Sequence, residues 1–134
     1  MDSDDVRRWF SDYLDLFAAC GRGERDTASL LEYYAVPLLI TTDDGFFGLT
    51  TDDQVVAAVQ PQIDGMRAAD FDHSDVVDSE VTVLNSTSTL CRATFSRQRR
   101  DGGEIGRFTA TYLVTDGAEG RRISVLAVHS PQAG

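Results

Sequence analysis

The chain has 134 residues, of which 42% are hydrophobic, enough to bury the core of one domain and too many for a disordered protein. It carries 12 basic and 22 acidic residues, a net charge of −10, and every basic residue is Arg. This charge argues against a nucleic-acid binder and against docking on anionic lipid, because both need a basic face. We expect a single domain, residues 1–134, with no nucleic-acid or membrane partner.

The charges are unevenly distributed along the chain. Residues 1–80 hold 18 acids and five Arg, whereas residues 81–134 hold four acids and seven Arg. The two cysteines fit no zinc-binding spacing, and Cys91 lies in an apolar strand pattern that predicts a buried thiol. The acidic N-terminus contains no apolar run that resembles a signal peptide. We therefore expect a cytoplasmic protein with an acidic helical surface and a mildly basic sheet.

The first half of the chain predicts three helices and a short hairpin. Residues 3–19 have apolar side chains at steps of three and four, which is typical of an amphipathic helix: Val6, Trp9, Phe10, Tyr13, Leu14 and Phe17. Ser3 is its expected N-cap. Thr27 is the expected cap of a second, short helix, and Thr51 that of a third helix, which fades near Ala69.

Between the second and third helices, residues 38–42 predict a strand and residues 46–49 a short return strand. After the third helix, the polar residues 70–75 are expected to form a loop in which His73 is exposed. The spacing of Asp72, His73 and Asp75 is weak evidence for a metal ion.

The second half predicts four long strands, over residues 76–84, 89–99, 105–115 and 122–130, joined by tight turns into an antiparallel meander. Side chains alternate between the faces of a strand, so pairing Asp101 with Glu104 and Asp116 with Arg121 assigns every residue to a face. The face expected to lie under the helices is almost wholly apolar: Cys91, Ala93, Phe95, Phe108, Ala110, Tyr112, Val114, Ile123, Val125 and Ala127, with His129 at its end.

The opposite face is rich in Thr and Arg and also carries Leu113, Leu126 and Val128. Such a face is either a solvated surface or an interface between two copies, and its apolar residues favour a homodimer through this outer sheet face. The basic residues 97–100 are expected to form a solvated patch at a hairpin tip.

This order of elements resembles the nuclear transport factor 2-like superfamily, and within it the SnoaL-like branch. The resemblance covers roughly residues 4–130. It rests on the helix at residues 6–14 before a Gly break, on Phe46-Phe47-Gly48, and on residues 111–117 before Gly120-Arg121-Arg122-Ile123. It implies an α+β fold, a cone-shaped, cystatin-like roll in which three N-terminal helices pack on a curved antiparallel sheet. It also implies a pocket, and usually a homodimer. We expect no metal or organic cofactor.

Isomerases of this superfamily use a pocket carboxylate as base and hydroxyl donors that polarise a carbonyl. Tyr13 is placed as such a donor, but Thr41 and Thr42 stand where the base is expected. The predicted inner face has no Asp and no Arg, which disfavours the water-activating set of an epoxide hydrolase. His129 is then the candidate proton-transfer group.

We therefore predict a domain that binds a small hydrophobic molecule in an apolar pocket. Its expected lining is Trp9, Tyr13, Phe17, Phe47, Phe95, Phe108, Tyr112 and His129. Were it an enzyme, the predicted reaction is cyclisation, isomerisation or dehydration of a hydrophobic carbonyl compound, with His129 and Tyr13 as the catalytic pair. The alternative is a non-catalytic homodimerisation or protein-interaction domain whose cone is filled by its own side chains.

Overall fold

The computed structural model describes residues 1–130 and confirms the predicted α+β fold. Its elements are α1 (Ser3–Gly21), a 3₁₀ helix (Thr27–Glu32), β1 (Tyr34–Thr42), β2 (Gly45–Leu49), α2 (Asp52–Ala68), β3 (Phe71–Asn85), β4 (Ser88–Arg99), β5 (Glu104–Gly117) and β6 (Gly120–Val128). The six strands form one sheet in the order β2-β1-β6-β5-β4-β3. β1 and β6 are parallel, and all other neighbours are antiparallel.

The apolar stripe of α1 is buried as its spacing predicts, and Val6, Phe10 and Tyr13 enter the core. The helix begins with a different cap from the expected one, because the Asp2 carboxylate accepts hydrogen bonds from the backbone N–H groups of Asp4, at 2.8 Å, and Asp5. A carboxylate at this position also interacts favourably with the positive end of the helix dipole.

The predicted cap of α2 is confirmed, since the Thr51 hydroxyl accepts a hydrogen bond from the backbone N–H of Gln54. One side of α2 is buried through Val55, Val59, Ile63 and Met66. Within residues 1–130, no helix is long and apolar enough to cross a membrane.

The expected polar loop after α2 is instead the beginning of β3. Residues 71–75 pair with the far end of β4, where Ser74 lies opposite Arg97 and Asp75 opposite Ser96. Pairing with a long neighbouring strand outweighs the weak strand preference of this Asp-rich segment. The consequence is that His73 and Ser74 reach the interface between sheet and helices.

The pairing of β4 with β5 differs from the expected one by two residues. Ala93 lies opposite Ala110, whereas pairing Asp101 with Glu104 would place it opposite Tyr112. This pairing holds as far as Arg97, after which it shifts by one residue and Gln98 lies opposite Glu104. Because side chains alternate with a period of two, a slip of two residues changes the partners but keeps every side chain on its predicted face.

The pairing of β5 with β6 contains a bulge that reverses the faces of β6. Val114 lies opposite Ile123 as predicted, but the residue before it in β5, Leu113, lies opposite Val125. Ser124 is therefore an extra residue in β6. A bulge of this kind places two successive residues against one partner and reverses the alternation beyond it.

The prediction that Val125, Ala127 and His129 lie on the inner face is consequently wrong. Beyond the bulge, Leu126 and Val128 point towards the helices and help to line the space beneath them. The same reversal removes Leu126 and Val128 from the predicted outer face and adds Val125 and Ala127 to it.

Candidate ligand-binding cavity

A cavity of about 480 Å³ lies between α1, α2 and the inner face of the sheet. Six aromatic side chains line it: Tyr13, Phe17, Tyr34, Phe95, Phe108 and Tyr112. Its volume lies within the range of about 300–1,000 Å³ that is usual for small-molecule sites. The described side chains leave this space open, in the place where the sequence predicts a pocket.

The cavity includes most, but not all, of the predicted lining. Tyr13, Phe17, Phe95, Phe108 and Tyr112 take part, together with Ile40 of β1 and Ala58 of α2.

Trp9 and Phe47 do not belong to the lining. Trp9 packs on Tyr33, with ring centroids 5.1 Å apart. Phe47 is 47% exposed on β2, which forms one edge of the sheet and lies away from the cavity. Both assignments to the pocket are therefore wrong.

The prediction that His129 stands in the pocket is also wrong. Its Nε2 forms a 2.7 Å hydrogen bond with the Thr111 hydroxyl on the outer face of the sheet, and the imidazole is exposed. The bulge at Ser124 causes this placement, because without it His129 would continue the inward row. His129 is thus separated by the sheet from Tyr13, its predicted catalytic partner.

A cluster of buried tyrosines lies at the inner wall. The hydroxyls of Tyr13 and Tyr34 are joined by a 2.6 Å hydrogen bond, and the ring of Tyr112 lies 6.0 Å from that of Tyr13. Burial raises the pKa of all three side chains. At neutral pH these hydroxyls are therefore protonated, which makes them hydrogen-bond donors and acceptors and not bases.

Tyr34 was missed as a cavity residue because its spacing from Leu30 and Leu31 predicts that all three form the apolar face of the second helix. In the structure the 3₁₀ helix ends at Glu32, and Tyr34 is the first residue of β1, opposite Ile123. The pairing of β1 with β6 is irregular between Tyr34 and Leu39, and beyond it Ile40 also lines the cavity.

The inner face also carries a cation, contrary to the expectation that it has no Arg. Arg97 continues the inward row of β4 two residues beyond Phe95 and lines the cavity. Its guanidinium carbon lies 4.2 Å from the ring centroid of Phe108 and 5.9 Å from that of Phe17. The assignment of Arg97 to a solvated hairpin tip is wrong, because β4 remains paired as far as Arg99.

Burial lowers the pKa of Arg97, but a guanidinium remains charged at any physiological pH. Among residues 1–130, the Arg97 side chain forms neither an ion pair nor a hydrogen bond, while Arg92, Arg107 and Arg121 of the sheet bind carboxylates. The cavity therefore holds a positive charge that no described side chain neutralises.

Arg22 and His73, which lie at the cavity mouth, are paired with neighbouring acids. Arg22 forms an ion pair with Glu24 at 3.1 Å and donates a hydrogen bond to the Asp72 carbonyl at 2.9 Å. His73 Nδ1 lies 2.7 Å from the Asp72 carboxylate, and this hydrogen bond raises the pKa of His73. Asp15, also at the mouth, is exposed. No group of His, Cys, Asp and Glu within the described part of the chain could hold a metal ion.

Neither thiol is placed to act as a nucleophile in the cavity. Cys20 and Cys91 are buried and unpaired with each other, and neither lines the cavity. Burial raises the pKa of Cys91 to about 11, so the reactive thiolate is scarce at neutral pH. The prediction that Cys91 is a buried thiol is confirmed.

Comparisons with known proteins agree with this architecture. A family model described as NTF2-like protein (DUF6841) matches residues 3–131. No curated protein matches the chain.

Three solved structures illustrate the likeness of fold. The chain is similar to an NTF-2 like protein of unknown function from Shewanella oneidensis (TM-score 0.68, 15% identity, covering 97% of this chain and 100% of that chain). It is also similar to an NTF2-like protein with a cystatin-like fold from Novosphingobium aromaticivorans (TM-score 0.70, 16% identity, covering 98% of this chain and 84% of that chain). A third similar structure is the association domain of C. elegans CaMKII (TM-score 0.68, 10% identity, covering 95% of this chain and 94% of that chain). At these identities the likeness establishes a shared fold and no shared activity.

Proposed function

The chain belongs to this NTF2-like family, and on that premise we propose that it binds a small, mainly hydrophobic molecule in the cavity between its helices and its sheet. The observation that carries the proposal is the open volume of about 480 Å³ walled by six aromatic rings. Transfer of apolar ligand surface from water to such walls is favourable by about 25 cal/mol per Å². Rigid aromatic walls also bind planar molecules without a large loss of side-chain entropy.

The tyrosine cluster supplies polar contacts that would orient the ligand. The Tyr13–Tyr34 hydrogen bond uses one of the two hydroxyl protons, so the other proton is available to an acceptor. A ligand carbonyl near the inner wall fits this donor. Because these hydroxyls are not bases at neutral pH, the arrangement supports binding more directly than cyclisation, isomerisation or dehydration.

The neutral fluorescent dye N-phenyl-1-naphthylamine tests this proposal. We expect saturable fluorescence enhancement with the wild-type protein and an affinity about 10-fold or more weaker for Ala110→Leu, because the added side chain occupies part of the cavity. Ala57→Leu is the matched control, since Ala57 is exposed on α2 and outside the lining. Absence of saturable binding to the folded protein, or equal affinities for the wild type and Ala110→Leu, would refute the proposal.

A second function, homodimerisation, is favoured by the outer face of the sheet. Four apolar side chains form a half-buried group there: Leu90, Leu113, Val125 and Ala127. We infer that a second copy of the chain covers this group, as apolar surface of this kind is commonly found at interfaces between subunits. The fold shared with an association domain agrees with this inference.

Sedimentation velocity at micromolar concentration tests the dimer. The wild type is expected to sediment as a dimer and Leu113→Asp as a monomer, because an unpaired carboxylate would be buried at the centre of the interface. Leu84→Asp introduces the same charge at a side chain that is 50% exposed on β3, and it should leave the dimer intact. A monomeric wild type would contradict the proposal.

A further inference from the structure

We infer that the ligand of the cavity is an aromatic monocarboxylate, whose carboxylate binds the guanidinium of Arg97 while its ring lies among the aromatic side chains. This inference rests on the proposed binding function and specifies the chemical class of the ligand. It follows from the position of Arg97, from its missing counter-ion and from the shape of its surroundings.

The position of Arg97 leaves its guanidinium accessible from the cavity. Its cross-strand neighbours are small, Ser74 on β3 and Gly106 on β5. A Cβ atom built on Gly106 would meet nothing within 4 Å, which shows how open this stretch of the inner face is. The guanidinium lies over Phe108, which supports the cation from one side and leaves its edges free.

The missing partner distinguishes Arg97 from the other arginines of the sheet, of which three pair with carboxylates, while Arg99 and Arg122 donate hydrogen bonds to backbone carbonyls. Arg92 lies 3.1 Å from Asp78, Arg107 lies 3.1 Å from Glu104, and Arg121 lies 2.8 Å from Asp116. Arg97 has no such partner within the described residues, although its side chain is partly buried over Phe108. A partly buried charge without a partner is unfavourable, so an anion that enters the cavity gains more there than at the surface.

The charge and geometry of the site indicate which anion binds. A guanidinium presents parallel N–H donors that match the two oxygens of a planar carboxylate. Arg22, the other Arg of the lining, is already paired with Glu24, and His73 is paired with Asp72. Among the described residues, Arg97 is thus the lining cation without a partner, and one free positive charge suits a monoanion better than a phosphate. The net charge of −10 repels anions generally, which means that selectivity for an anion must come from this local cation.

Two molecules of nearly identical shape, 2-naphthoate and 2-naphthamide, test the inference by competition against N-phenyl-1-naphthylamine. The wild type is expected to bind the carboxylate about 10- to 100-fold more tightly than the amide. Arg97→Met keeps an apolar stem over Phe108 but removes the charge, and it should abolish this preference when both affinities are calculated with the dye affinity measured for that variant. Arg97→Lys keeps the charge without the planar donors and should restore only part of the preference.

The matched control is Arg92→Met, which removes the same charge from the opposite face of β4 and should preserve the preference for the carboxylate. Thermal unfolding of each variant confirms that it is folded. Equal affinities of the wild type for 2-naphthoate and 2-naphthamide, or a preference for the carboxylate that survives in Arg97→Met, would overturn the inference. Dye binding would in that case still support the proposed binding function. Loss of dye binding by the wild type would instead refute the proposed function itself.

Discussion

Replacement of Phe10 by alanine is expected to lower the free energy of unfolding by about 3–5 kcal/mol. The Phe10 side chain is 6% exposed, and its ring packs edge-on against Tyr112 at a centroid distance of 4.8 Å and against Tyr13 at 5.6 Å. The substitution removes apolar contacts and edge-to-face interactions together, and leaves a void between α1 and the sheet. Urea unfolding followed by circular dichroism measures the change.

Phe46→Ala is the matched control, because it removes the same atoms from a ring that is 67% exposed on β2. We expect it to change the free energy of unfolding by no more than about 0.5 kcal/mol. Losses of similar size in the two variants would show that Phe10 is not part of the packed core. Because Phe10 supports two cavity tyrosines, its variant should also bind N-phenyl-1-naphthylamine more weakly, even where it remains folded.

The helices were predictable because their packing follows one local rule. Apolar side chains at steps of three and four identify the buried side of α1, and Val6, Phe10 and Tyr13 are all in the core. Capping depends on geometry over a few residues and is less certain. Asp2 and Ser3 both have side chains that can cap a helix, and only the structure distinguishes them.

The faces of β4 and β5 were also predictable, although their register was not. An error of two residues in the hairpin leaves Ala93 and Ala110 on the inner face, so the aromatic wall at Phe95 and Phe108 was correctly assigned. Arg97 follows Phe95 by two residues in β4, so the same alternation places the Arg97 side chain on the inner face of the sheet. The charge of Arg97 favoured a solvated turn, and strand pairing as far as Arg99 overrides that preference.

The placement of His129 could not be deduced from alternation. Ser124 has no sequence feature that marks it as an extra residue, and the bulge depends on how β6 fits between β5 and β1. One inserted residue reverses every side chain that follows, so the predicted base moves to the outer face. The candidate site therefore consists of Arg97 and the tyrosine cluster, and not of His129 and Tyr13.

Gly21→Val is expected to lower the free energy of unfolding by about 3 kcal/mol, the upper end of the range for an overpacked core. Gly21 is buried at the end of α1, where a Cβ atom would lie 2.5 Å from Met66 Cε and 2.9 Å from Phe71 Cδ1. The end of the Met66 side chain is flexible and can move away. The Phe71 ring is 1% exposed at the beginning of β3 and has little room to do so.

Gly21→Ala and Gly65→Ala make the same chemical change in two helices and should have opposite effects in urea unfolding. A Cβ atom on Gly65 would meet nothing within 4 Å, so alanine there is expected to stabilise the protein by about 0.5–1 kcal/mol through its greater helix propensity. At Gly21 the contact with Phe71 should outweigh that gain. Stabilisation by both substitutions would mean that α1, α2 and β3 are not in close contact at this point. Since these three elements enclose one end of the cavity, the Gly21 variants should also change dye binding, whereas Gly65→Ala should not.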